Sequence, residues 1–216
     1  MDDQVREALR RVGVAFAGYP RRAVLDGCPH CRGQVSVADH DLFSLALSLG
    51  GTVGTDADLK SLLPLLLERL VTGDELDADT VLGKLTLAGG WQTWPAGERD
   101  ALRGYLDTVW RSILSRYPAR CGGLRDASSF LIAARPLHEG VGRYLRIWDA
   151  TPGAAPDRHL ADLVIDWVGG SGIPDDAVAW ARRPAVRDRL YAAVVRDLDA
   201  PWSGRLAQAY DFLAAL

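Results

Sequence analysis

Apolar side chains recur at three- and four-residue intervals along almost the whole chain, and glycine or proline interrupts each run before it grows long. A chain with that period buries one face of each helix, which leaves little of it for sheet. Val5, Leu9, Val12 and Phe16 predict an amphipathic helix over 3–18, ended by Gly18-Tyr19-Pro20. Asp39 is the expected cap of a helix running to Leu49, where Gly50-Gly51 stops it. Thr55 or Asp56 starts another over 57–71, which Pro64 is expected to break or kink. Asp77 caps a short helix to Ala88, and residues 91–95 form a connector. Beyond it Leu102, Leu106, Val109, Ile113 and Tyr117 mark a long helix, with Pro95 at its first position. Further helices are expected at 126–134, 136–148, 157–168, 174–183, 184–197 and 202–215. The fold class is therefore all-α, about ten short helices in an orthogonal bundle or stacked helical hairpins. A chain of 216 residues can bury that core as a single helical domain, 1–216, with a hinge expected at 149–156 between two helical halves.

Residues 19–38 depart from this pattern. Pro20, Gly27, Pro29 and Gly33, with β-branched patches at Val24 and Val35-Ser36-Val37, predict a loop or tiny hairpin near the N-terminus. That segment carries Cys28-Pro29-His30-Cys31. Thiolates at C-x-x-C spacing suit a tetrahedral zinc ion, and His40, nine residues after Cys31, is close enough to join them. His30 or Cys121 would complete the set, since no second C-x-x-C and no paired histidine motif occurs. Two free, partly buried thiols are the plain alternative. The same tetrapeptide matches the active-site motif of thioredoxin-like thiol oxidases, where proline and histidine between the thiols favour the thiolate. A βαβ framework would be needed for that chemistry, and the pattern supplies none.

Composition narrows the function classes. Hydrophobic residues at 48% and charged residues at 25% describe a folded chain. The 25 basic residues nearly balance 28 acidic ones, for a net charge of -3, which argues against a nucleic-acid partner. Only Lys60 and Lys84 are lysines, which reads as the codon bias of a G+C-rich genome. Charges at Arg6, Glu7, Arg10 and Arg11 leave no apolar export segment, and no stretch reaches the roughly 20 apolar residues that span a bilayer. A cytoplasmic protein without a membrane partner is expected, its cysteines reduced or metal-bound.

Other constellations are sparser. Trp91 and Trp94 flank a turn and are the candidate aromatic platform for binding, set against packing of the connector on neighbouring helices. His138 and Glu139 stand beside Gly140 without any recognised catalytic pattern. Asp157, Asp162 and Asp166 can share a hard cation with His159 nearby, against the ordinary reading of a solvated helix face. Arg182, Arg183, Arg187 and Arg189 read as surface or ion-pair residues.

Four stretches carry a family resemblance. They are Cys28-x-x-Cys31, the Asp58-Leu59-x-x-Leu62-Leu63-Pro64 segment, the Trp91-x-x-Trp94-Pro95-x-x-Glu98 connector, and Trp180-Ala181-Arg182-Arg183-Pro184 with Arg189-Leu190. Together they resemble an uncharacterised family of bacterial all-helical proteins. Its members often carry an aromatic residue and a histidine just before the mid-helix proline, where this chain has Lys60, Ser61 and Leu62. The resemblance implies the helical fold and no activity.

The best-supported expectation is a non-enzymatic helical interaction or adaptor protein with a protein partner. The rival is a zinc- or thiol-dependent enzyme, or a zinc-stabilised module, centred on Cys28, Cys31 and His40. If the thiols hold zinc, Cys28→Ser loses the metal and opens residues 19–38 to proteolysis while the helices stay folded. If they are free thiols, the same change alters stability by under about 1 kcal/mol. Native mass spectrometry and limited proteolysis separate the two outcomes.

Overall fold

The computed structural model describes residues 2–27, 33–87, 89–137, 140–170 and 172–215. It shows an all-α fold with eleven α-helices among those residues and one two-stranded ribbon. The chain forms two compact units. One runs to Val109 and takes back Cys121–Leu124, and the other takes Trp110–Arg120 and everything from Arg125 onward. The division falls inside a helix, and the expected hinge at 149–156 lies within the second unit.

In the first unit α1 spans Asp3–Ala15, with the Asp2 carboxylate accepting from the Gln4 amide at its start. Of the loop or tiny hairpin expected here, the hairpin forms. β1 (Val24–Asp26) and β2 (Gln34–Ser36) pair antiparallel, with Leu25 opposite Val35. Asp41, not Asp39, caps α2 (Leu42–Ser48) by accepting from the Ser44 amide. A reciprocal box between Thr55 and Asp58 opens α3 (Asp56–Thr72).

That helix runs through Pro64 unbroken. Proline brings no N–H to the Lys60 carbonyl and costs a helix interior about 3 kcal/mol. Leu59, Leu62, Leu63, Leu66, Leu67 and Leu70 are all buried, and their burial outweighs that cost. α4 (Ala78–Gly83) is followed by two short 3-10 turns, Lys84–Thr86 and Trp91–Thr93. α5 (Ala96–Leu114) starts one residue after Pro95, and its Tyr105 hydroxyl donates to the Leu67 carbonyl of α3 at 2.8 Å. The end of α3 is sealed by Gly122 at φ +55°, where a Cβ would collide with the Leu70 and Gly73 carbonyl oxygens.

The second unit holds α6 (Ala127–Ala134), α7 (Gly142–Asp149), α8 (Ala154–Val168), α9 (Asp175–Ala181), α10 (Pro184–Arg196) and α11 (Ser203–Ala214). Of the helix expected over 136–148, α7 is the part observed. α8 is the central element, packed against α6, α9, α10 and α11. Its polar residues correct the expectation of a solvated or cation-binding face. Asp157, only 3% exposed, accepts from Arg189 at 2.6 Å and from Arg196 at 2.7 Å. His159 is buried with Nε2 at 2.8 Å from the Arg116 carbonyl and 3.1 Å from that of Ile113. Asp162 takes Arg205 and the Tyr117 hydroxyl, and Asp166 takes the Ser128 hydroxyl. Each carboxylate already has a donor of its own. Arg183 and Arg189 are likewise ion-paired, with Asp149 and Asp157.

The aromatic heart of this unit is Trp110. Its indole N–H donates to the Tyr144 carbonyl at 2.9 Å, and its ring lies 4.9 Å from Phe130 and 5.3 Å from Trp148. Trp110→Ala removes a fully buried ring and costs about 3–5 kcal/mol in chemical denaturation. A change near zero would show that the ring carries no core packing.

Candidate functional site

Two helical stripes of the first unit line a groove of about 530 Å³. Arg6, Leu9, Arg10 and Gly13 recur every three or four residues, so they share one face of α1. Ser61, Pro64, Leu65 and Glu68 do the same on α3, and Phe16, Tyr19 and Arg21 close one end. The buried side of α1 is Val5, Ala8 and Val12, and Leu9 turns out of it toward the groove. Sequence spacing put Leu9 in the core, because i+3 and i+4 neighbours both fall near one face and the pattern alone does not choose between them. Gly13 leaves a gap in the α1 wall, since a Cβ there would meet nothing within 4 Å.

The floor at the Tyr19 end is held by a buried ion pair. The Lys60 ammonium donates to Glu98 Oε2 at 2.8 Å and to the Tyr19 oxygen at 3.0 Å, while the Tyr19 hydroxyl donates to Glu98 Oε1 at 2.6 Å. The two side chains are 12% and 7% exposed, so the pair is largely out of water. Lys60 Nζ also lies 4.5 Å from the centroid of Trp94 and 5.0 Å from that of Tyr19. Burial alone would lower the Lys60 pKa. The hydrogen bonds from Glu98 and Tyr19 outweigh it and leave the ammonium above its ordinary value.

The residues singled out from sequence are distributed as follows. Trp91 and Trp94 are both interior, at 2% and 5% exposure. Trp94 packs edge-on against Phe16 at 5.8 Å, and the cation on its face is the protein's own Lys60. Trp91 carries the Arg103 guanidinium 5.4 Å from its ring centre. His40 is exposed, with Nδ1 at 3.2 Å from the Ser36 carbonyl. Cys28, His30 and Cys31 lie outside the described residues, as do His138 and Glu139. Cys121 is buried, and desolvation pushes its thiol up to about 11. Among the described residues no three His, Cys, Asp or Glu side chains form a metal-binding group. No helix among them is long and apolar enough to cross a membrane. Comparison of the chain with protein-family models, curated proteins and solved structures finds no match.

The groove combines apolar and charged side chains. Its apolar floor is Leu9, Phe16, Pro64 and Leu65, and its charged rim carries Arg6, Arg10 and Arg21 against Glu68. Lys60 and Glu98 satisfy each other and hold the floor in place. Lys60→Met alone strands the Glu98 carboxylate in the interior and costs about 3–5 kcal/mol. Lys60→Met together with Glu98→Met recovers most of that loss, as urea denaturation of both variants would report. A raised lysine pKa also has a signed consequence. Its stabilisation is complete below the ordinary value of 10.5 and is lost as pH rises through the folded value, so the wild type loses more than the double variant in that window.

Proposed function

We propose that this chain is a non-catalytic helical interaction module, acting in the cytoplasm, whose α1–α3 groove receives an acidic, apolar helical segment of a protein partner. The observation that carries this reading is the pairing of an apolar floor with a rim of three arginines and one glutamate. Among the described residues Arg6 and Arg10 are held by i,i+3 partners at the surface, Asp3 and Glu7, which an incoming carboxylate displaces at small cost. Arg21 has no carboxylate partner among the described residues. The α1 stripe from Arg6 to Gly13 is ~10 Å long, so an occupant of about two helical turns covers it. Helix-in-groove recognition of this kind reads apolar anchors at i, i+3, i+4 and i+7.

A synthetic helical peptide with leucine at those anchors and glutamate elsewhere is the probe, followed by fluorescence anisotropy. Binding should weaken with added salt. The peptide with glutamine in place of glutamate should bind at least about tenfold more weakly, the loss expected when charge-assisted contacts become neutral. Gly13→Leu should block the groove while leaving the fold intact, because the position is open and leucine favours helix over glycine by roughly 0.6–1 kcal/mol. Equal binding of the two peptides, or unaltered binding by the Gly13→Leu variant, overturns the proposal.

A further inference from the structure

A guanidinium has no N–H on its faces; all five donors lie in its plane and point outward from its edge. In the second unit, Arg158 of α8 lies against two aromatic rings. Its Cζ lies 3.8 Å from the ring centre of Tyr117 and 4.4 Å from that of Trp202. Arg189, Arg196 and Arg205 of the same unit hydrogen-bond a carboxylate, whereas Arg158 makes no hydrogen bond with any described residue.

The two rings are anchored independently of Arg158. The Trp202 indole N–H donates to Asp197 Oδ2 at 3.1 Å, and Asp197 is held by Arg196 through two bonds of 2.9 and 2.7 Å. The Tyr117 hydroxyl donates to Asp162 at 2.7 Å, and Asp162 also takes Arg205 Nε. Burial, reinforced by the hydrogen bond to Asp162, raises the Tyr117 pKa, so the phenol stays a donor. Asp197 is near enough to feel the charge of Arg158, yet its oxygens are taken by Arg196 and Trp202. The carboxylates nearest these rings, Asp197 and Asp162, are thus already engaged.

Arg158 lines a pocket of about 240 Å³ together with Tyr117, Trp202, Arg205 and the apolar Pro201 and Leu206. That volume is below the roughly 300–1,000 Å³ typical of sites for drug-sized ligands. The charged side chains lining the pocket are Arg158 and Arg205, and Asp162 pairs with Arg205, which leaves the Arg158 donors to a monoanion. A planar fork with no hydrogen bond to any described residue matches a planar anion that accepts two parallel N–H bonds. We propose that this pocket binds a small monocarboxylic acid, its carboxylate held edge-on by Arg158 and its apolar body against Pro201 and Leu206. The site is independent of the α1–α3 groove.

The test is an NMR titration of the full chain with benzoate, benzamide and inorganic phosphate, following the Trp202 indole N–H and the Arg158 Nε–H. Benzoate should shift both signals saturably, and benzamide, the neutral analogue of the same shape, should bind at least about tenfold more weakly. In Arg158→Gln the benzoate response should vanish while the Trp202 indole signal remains dispersed, since Asp197 still holds that ring. Benzamide binding as tightly as benzoate, phosphate binding more tightly than benzoate, or an undiminished response in Arg158→Gln would each overturn the assignment. The benzoate and benzamide comparison needs only the wild type, so it decides even if the variant fails to fold.

Discussion

A lysine ammonium buried beside α3 must be paired, and the organisation of the first unit around the groove follows from that requirement. Lys60 brings together three segments far apart in sequence: Tyr19 after α1, its own helix, and Glu98 in the first turn of α5. An isolated buried charge would cost several kcal/mol, and the carboxylate, the phenol and two aromatic faces remove that penalty only if all are in place. The pair therefore acts less as a source of net stability than as a selector of one arrangement. Phe16 and Trp94, which meet edge-on beside it, inherit their positions from the same constraint.

The second unit answers the converse problem with opposite signs. Asp157 is a buried carboxylate on the central helix, and two guanidiniums from α10 converge on it. Arg189 continues to the Trp148 and Thr151 carbonyls, fixing the connection between α7 and α8. Arg196 continues to Asp197, which holds Trp202 against Arg158. A single buried charge is thereby linked through fixed hydrogen bonds to the wall of a surface pocket. Rigid walls of this kind reduce the ordering cost that a small ligand must overcome.

Much of the helical architecture was legible in the sequence because its signals are local. Thr55 with Asp58 and Asp77 are caps that act within one turn, and Leu102 to Ile113 carry an unbroken helix period. Even the hairpin could be read from Val24 and the Val35 patch. What escaped was set by distance. Asp157 meets Arg189 and Arg196 across 32 and 39 residues, so nothing adjacent to it marks it as buried. Pro64 predicts a break or kink because its local cost is visible, whereas the leucine face that carries the helix through it is satisfied only in three dimensions. Leu9 was misplaced by one helical neighbour, and with it the groove, whose rim arginines look like any solvated face until the opposing stripe of α3 is known.

The division of labour between lysine and arginine carries the argument further. In a chain whose basic positions are nearly all arginine, both lysines lie in the interior. Lys60 sits among Glu98, Tyr19 and Trp94, and Lys84, 8% exposed, donates to the Leu47 carbonyl in the last turn of α2 at 2.8 Å. A helix end carries partial negative charge on such carbonyls, and a compact ammonium on a flexible stem can reach one where a planar fork would need more room. Burial lowers the pKa of Lys84, which has no carboxylate partner among the described residues, while the Glu98 contact raises that of Lys60. Arg158 stands at the other extreme, since close approach to two rings suits a flat cation with donors only at the edge. A compositional bias toward arginine accounts for the exposed positions, but these three sites are decided by the shape of the cation.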